Sequence, residues 1–289
     1  MSDTVCGVDG IEIRVLGPLE VLRDGETLRL RGIKQRAVLA LIALHAGRVV
    51  STDQLVESLW GEEPPPTAVT ALHGHVSRLR RMLGPGVIVT RAPGYLLDPD
   101  AAAIDLTRFE ELLKGDQDEP STEAERYRRA LGLWRGSALA DLAGEIGLAG
   151  EAHRLDELRL RTHEELFDVE LGLGEHVELV PALEAFTRAE PLRERPIAQL
   201  MLALYRSGRQ ADALAAYRRF RQRLREELGL EPGRMLRELE RRMLEQDPGL
   251  APPVDASHED VAPRRTPVSV VAIGVAAATQ ESSEPDAEA

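Results

Sequence analysis

Between Pro64 and Leu97 the chain carries no aspartate or glutamate, yet Arg78, Arg80, Arg81 and Arg91 all fall there, in a protein of 289 residues whose formal net charge is -13. Within this stretch the apolar pattern changes its period. Val69, Leu72, Val76, Leu79 and Leu83 recur at the i, i+3, i+4, i+7 spacing of an amphipathic helix. Val87, Ile88, Val89 and Thr90 then favour a strand, Pro93-Gly94 suits a type II turn, and Tyr95-Leu96-Leu97 returns. The pattern therefore predicts one striped helix beside a two-stranded hairpin, with arginines on the side that the stripe leaves free.

At about 100° per residue, Thr67, Thr70, Gly74, Ser77, Arg78 and Arg81 lie around the side opposite the stripe. These small, hydroxylated or guanidinium residues suit close approach to a groove, hydrogen bonding to phosphate and bidentate contact with guanine. Taken alone, the helix also fits a merely solvated face. The adjacent hairpin favours the DNA reading, because a helix with a wing beside it holds both grooves. Thr90 and Arg91, at the wing tip, are candidates for the minor groove or its phosphates. His73 and His75 sit two residues apart, about 200° around a helix, so they cannot clasp one metal ion and read as groove-side or neighbouring contacts. Lys34, Arg36 and Trp60 are weaker candidates for the DNA backbone, with packing at a helix end an equal alternative for Trp60.

An acidic total argues against nucleic acid until the charge is divided. Residues 1–100 hold 11 basic and 12 acidic side chains, and residues 101–289 hold 25 and 37. The first part is thus nearly neutral with its cations gathered locally, the pattern that phosphate neutralisation needs. The acidic remainder suits protein partners or solubility. Aromatic residues make up only 3% of the chain, which counts against a single-strand binder. No run of about 20 apolar residues exists, and residues 1–10 lack the regions of a signal peptide. With Cys6 as its one cysteine, the chain is expected to be cytoplasmic and nucleoid-associated, without membrane contact.

Before the recognition stretch, Ile11, Ile13 and Val15 and then Leu19 and Val21 alternate as short strands, with Asp24-Gly25 as a turn before Leu28 and Leu30. Residues 34–46 read as a helix apolar on one side that stops at Gly47. Ser51 and Gln54 have capping-box spacing and open a helix running to about Trp60, and three prolines, Pro64 to Pro66, separate it from the next. Residues 101–250 read as helices throughout: 105–114, 121–134, one striped by Leu155, Leu158, Thr162, Leu166 and Val169, then 178–190, 196–206, 210–228 and 233–245. Leu200, Leu204, Gly208, Ala213 and Tyr217 agree with tetratricopeptide spacing, although Pro232 falls late for a regular repeat. The expected organisation is a flexible N-terminus (1–10), a winged helix (11–100), a helical domain (101–250) and a disordered tail (251–289). The fold class is mainly α with a small β component, an N-terminal winged helix-turn-helix followed by an all-α tetratricopeptide-like repeat domain.

This order resembles the winged-helix output domain of two-component response regulators and, more closely, the Streptomyces antibiotic regulatory protein family. The resemblance rests on VLGPLEV (15–21), KQRAVLALIAL (34–44), VVSTDQLVESLWGEEPP (49–65), VSRLRRMLG (76–84) and TRAPGYLL (90–97). It continues through ALGLWRGSALADL (130–142), LRLRTHEELFDVELGLGEH (158–176), PLRERP (191–196) and LALYRSGRQADALAAYRRFRQRLREELGLEP (202–232), covering roughly residues 10–250. The resemblance implies a DNA-binding activator that reads direct repeats upstream of promoters as a dimer or tandem pair, with a bacterial transcriptional activator domain as its second part. It further implies recruitment of RNA polymerase, including its sigma subunit, and control of antibiotic or other secondary-metabolite genes. Response-regulator winged helices aim the Arg-x-Arg of such a run at the major groove, which here implies Arg78 and Arg80, whereas helical phase favours Arg78 and Arg81. Only about ten residues precede the first strand, so no receiver domain is expected. No GxxxxGK[ST] stretch occurs, which argues against the ATPase of larger relatives.

Enzymatic readings find little support. Ser77 lacks a histidine and acid partner pattern, no GxSxG elbow occurs, and the carboxylates of residues 151–170 read as i, i+4 salt pairs. No cofactor or metal site is expected. The alternative function is a helical-repeat adaptor whose winged helix contacts protein, from which the acid-free arginine face discriminates.

Overall fold

The computed structural model describes residues 10–115 and 120–251. The expectations for residues 1–9, including Cys6, and for residues 252–289 of the tail lie outside the described residues. An N-terminal sheet comes first: β1 (Ile11–Arg14), β2 (Glu20–Arg23) and β3 (Glu26–Thr27) run antiparallel in succession. Asp24 and Gly25 both take positive φ in the tight turn between β2 and β3, as an Asp-Gly hairpin requires. Helix α1 (Ile33–Leu44), strand β4 (Val50–Ser51), α2 (Thr52–Trp60) and α3 (Ala68–Leu83) follow. The hairpin of β5 (Ile88–Arg91) and β6 (Gly94–Leu97) pairs through β6 with β4 in a three-stranded sheet.

Local chemistry accounts for these boundaries. The Ser51 hydroxyl accepts from Gln54 N–H at 3.1 Å and the Gln54 amide oxygen accepts from Ser51 N–H at 3.1 Å, so the capping box is complete. Gly47 takes φ 75° beyond the end of α1, and its N–H reaches the Leu97 carbonyl at 3.0 Å. Two expectations need correction. Residues 37–43 of α1 are all buried, because α2 and α3, β6 and a turn of the helical region enclose the helix on every side. In the wing turn Gly94 already belongs to β6 and is not among the glycines of positive φ that a type II turn requires, so the turn is not type II. Gly94 is required by close approach: a β-carbon there would collide with the Val50 carbonyl oxygen of β4.

Strand β7 (Ala103–Ile104) returns to pair parallel with β1, closing the first sheet as β3-β2-β1-β7. Six of the remaining helices follow the expected segments closely: α4 (Asp105–Leu113), α5 (Pro120–Leu131), α7 (His176–Ala189), α8 (Glu194–Arg206), α9 (Gln210–Leu228) and α10 (Arg234–Leu244). Between α5 and α7 lies α6 (Ile146–Gly172), 27 residues or about 40 Å long. Helices α7 to α10 stack on one another, with Gly208 and Gly229 turning the chain at positive φ. Among the described residues, no helix is long and apolar enough to cross a membrane.

Hydrophobic packing does not divide the chain at residue 100. One core runs from Ile11 to Leu155 and takes in Ile104, Leu106, Phe109, Leu139, Leu142 and Leu148 beside the winged-helix residues. A second runs from Phe167 to Leu250, and α6 contributes to both. The joint is tight at Gly147, where a β-carbon would collide with Cα, Cβ and the carbonyl oxygen of Ser58 in α2. Gly147→Ala is expected to lower stability by about 1–3 kcal/mol through this overpacking, read as a lower urea midpoint. An unchanged midpoint would contradict the close approach.

Candidate nucleic-acid interface

Helix α3 buries Ala68, Leu72, Val76, Leu79 and Leu83. Val69, expected at the head of the apolar stripe, is 45% exposed, and Ala68 takes its place in the core. Both stand at the edges of the arc around Leu72 and Val76, and the neighbouring elements cover only the Ala68 edge. Val69 thus joins the outer face, where an apolar side chain suits contact with a thymine methyl.

Thr67, Val69, Thr70, His73, Ser77, Arg78 and Arg81 are all exposed, so the structure brings most of the expected face together. Gly74 is half-buried, and Arg78 Nη2 lies 3.3 Å from where a β-carbon on Gly74 would stand. The Arg78 guanidinium therefore folds back over the preceding turn, as long helical side chains do, and Gly74 leaves room for it. His75 turns away from this face. It is half-buried, its Nδ1 has no hydrogen-bond partner, and burial, helped by nearby Arg78, pushes its pKa below the usual histidine value.

Arg80 is placed differently from its neighbours. Its Nε donates to the Ile88 carbonyl at 2.8 Å and its Nη2 to the Thr90 hydroxyl at 2.7 Å, while the guanidinium carbon stands 5.7 Å from the centre of the Tyr95 ring. The His73 ring meets the same Tyr95 edge-on at 6.5 Å. Arg80, Thr90, Tyr95 and His73 thus tie the wing to the helix and set the position of the wing tip relative to the exposed face of α3. At the wing tip Arg91 is exposed beside Ala92 and Pro93. Arg78, Arg81 and Arg91 make no ion pair or hydrogen bond among the described residues. Arginines of the helical region contrast with them: Arg128, Arg193, Arg195 and Arg241 each bond two or more carboxylates.

Three expected contacts lie elsewhere. Lys34 Nζ donates to the Leu59 carbonyl at 2.5 Å and pairs with Glu145 at 2.7 Å. Arg36 pairs with Asp141 and also reaches the Leu19 carbonyl at 3.3 Å. Both cations are thereby held at the joint between α1 and the helical region, where carboxylates that the sequence places over 100 residues away neutralise them. Trp60 is half-buried against the first core, the packing alternative for that residue. Arg29 and Arg31 are not among the expected contacts, yet they stand beside α3. They line a shallow cavity of about 400 Å³ with Gln35, Arg78, Arg81 and Met82. The alternation Leu28-Arg29-Leu30-Arg31 signals their outward direction but not that α3 lies beside them. Among the described residues no cluster of His, Cys, Asp or Glu could hold a metal ion.

Comparison with known proteins finds two families along the chain. Residues 25–97 match the family described as "Transcriptional regulatory protein, C terminal", and residues 104–244 match "Bacterial transcriptional activator domain". The chain is 44% identical over 243 residues to regulatory protein AfsR of Streptomyces coelicolor, covering 82% of this chain but 24% of AfsR. It therefore spans about a quarter of that relative's length. It is 38% identical over 256 residues to regulatory protein DnrI of Streptomyces peucetius, covering 83% of this chain and 94% of DnrI. Among solved structures, Mycobacterium tuberculosis EmbR in complex with a low affinity phosphopeptide superposes with a TM-score of 0.77 at 34% identity, covering 83% of this chain and 66% of that one.

Proposed function

The chain belongs to the Streptomyces antibiotic regulatory protein family of transcriptional regulators, which are not enzymes, and from that premise we propose that it activates promoters by reading direct repeats and recruiting RNA polymerase. The observation that carries this reading is the exposed, acid-free face of α3 and the wing, where Arg78, Arg81 and Arg91 remain without counter-charge. Such a face in a chain of net charge -13 has a polyanion as its natural complement. Val69, Thr70, Ser77 and Arg81 would enter the major groove, Arg78 would reach a guanine edge or phosphate, and Arg91 would follow the minor groove. Arg80 and Thr90 would act by holding the wing at its angle.

One winged helix covers a short site, so two copies would lie head to tail on one face of the duplex, with repeats about one helical turn apart. Such a pair needs heterologous contacts and no two-fold axis. The helical region would then stand near the promoter. Its groove of about 450 Å³ between α7, α8 and α9 is rimmed by Arg188, Arg219, Glu184 and Glu226 over the buried Ile197, Leu200 and Phe220, a mixed-charge surface suited to a protein segment. The loop of residues 61–66, with exposed Glu62 and Glu63, would touch polymerase, including its sigma subunit. Control of antibiotic or other secondary-metabolite genes, the relatives DnrI and RedD being regulators from Streptomyces, completes the proposal.

Footprinting on DNA flanking its own gene tests the reading, with protection of direct repeats expected. Inserting half a helical turn between the repeats should abolish activation while each repeat still binds. Activation that survives the insertion would reject the tandem arrangement.

A further inference from the structure

Arg78 and Met82 are each two residues from Arg80, roughly 160° around α3 from the side that grips the wing. On that far flank lies the cavity shared by Arg29, Arg31, Gln35, Arg78, Arg81 and Met82. Arg29 and Arg31 come from the extended segment between β3 and α1, where Leu28 and Leu30 pack half-buried on the first core and the two arginines stand outward. The segment is anchored at its start by the Leu28 N–H on the Val21 carbonyl at 2.8 Å. Gln35, buried and with its amide nitrogen 3.6 Å from Met82 Sδ, belongs to the same lining.

Four guanidinium groups line this space without a carboxylate among them. None of the four makes an ion pair or hydrogen bond among the described residues. Four cations gathered at one site with no counter-charge among the described residues favour an anion there. The four arginines are all exposed, and the cavity opens beside the groove face of α3. That openness suits a long polyanion rather than an enclosed small molecule, and the planar guanidinium fork matches phosphate oxygens in pairs.

We propose that Arg29 and Arg31, joined by Arg78, clamp the phosphates of the DNA strand bordering the major groove on the side of α3 opposite the wing. The proposal rests on the DNA-binding reading of α3 and adds a second anchor to it. With the wing on one flank and the clamp on the other, α3 is held in the groove from both sides. Such contacts set register and carry no sequence information.

The test is the salt dependence of binding to a random-sequence duplex of about three helical turns, using the full chain. Each phosphate contact contributes about 0.9 to the slope of log affinity against log salt. Arg29→Ala with Arg31→Ala is expected to reduce that slope by roughly 1.8, so an about fourfold rise in salt costs the double variant roughly tenfold less affinity than it costs the wild type. Arg29→Lys with Arg31→Lys should keep the wild-type slope, which separates charge from any change in folding. A wild-type slope in the double alanine variant overturns the clamp while leaving the DNA reading intact. The same holds if that slope is kept but pairing of two copies on tandem repeats, or polymerase recruitment, is lost, since the occupant is then a protein. Absence of duplex binding by the wild-type chain at every salt concentration overturns both.

Discussion

Replacing Asp105 by alanine is expected to lower the unfolding free energy by about 3 kcal/mol or more. The Asp105 side chain is 4% exposed, and its two oxygens accept from the backbone N–H groups of Val15 at 2.8 Å and Leu16 at 3.0 Å. Those donors lie just beyond β1, where the chain leaves the sheet and finds no strand partner. Arg135 adds its Nη2 at 3.4 Å, and its own N–H bonds the Leu16 carbonyl at 2.9 Å. Alanine would leave two buried donors without acceptors, at about 1–3 kcal/mol each, and would take from Arg135 a buried counter-charge. Asp105→Asn should fall between alanine and wild type, because one amide oxygen replaces two acceptors. Urea denaturation measures both. A loss below about 1 kcal/mol for alanine would mean that water reaches Val15 and Leu16 and that the carboxylate does not join the two halves.

Ending the chain at Asp100 is expected to do more, leaving residues 10–100 without a cooperative unfolding transition. That cut removes β7, the Asp105 carboxylate and the part of the first core supplied by Ile104, Leu106, Phe109, Leu139, Leu142, Leu148 and Leu155. Fully burying a large apolar side chain is worth about 1.5–3 kcal/mol, so the loss approaches or exceeds the whole stability of a typical domain, about 5–15 kcal/mol. Residues 10–160 keep that core complete and should melt cooperatively, bind DNA weakly and fail to activate transcription. Calorimetry and a transcription assay decide between outcomes. A sharp transition in 10–100 would put the structural boundary where composition and helical pattern place it. Activation by 10–160 equal to that of the full chain would remove the second core from the activating element.

Much of the site was legible because it is local. The 3.6-residue stripe of α3, the capping box of Ser51 and Gln54, and the absence of acid across the wing all arise from residues within a few turns of one another. A face assigned by helical phase can err only at its edges, and Val69 is such an edge. Arg80 shows the limit of the method. Its phase and its place in the Ser77 to Arg81 run say nothing of the Ile88 carbonyl, the Thr90 hydroxyl and the Tyr95 ring that receive it.

For the cations ahead of and within α1, the surroundings were decided by contacts distant in sequence. Lys34 and Arg36 resemble Arg29 and Arg31 in the linear chain, lying within seven residues of them. Only folding brings Glu145 and Asp141 to the first pair and Arg78 and Arg81 to the second. The sequence by itself determined the order of the helices and of the wing hairpin, most of the apolar stripe of α3 and the gathering of positive charge at the α3–wing unit, since periodicity and composition act over short spans; the two-residue strands β4 and β7 exist only through their partners. The tertiary structure alone decided which arginines stay free and where the first core ends, because charge pairing and burial depend on what lies opposite each side chain in space.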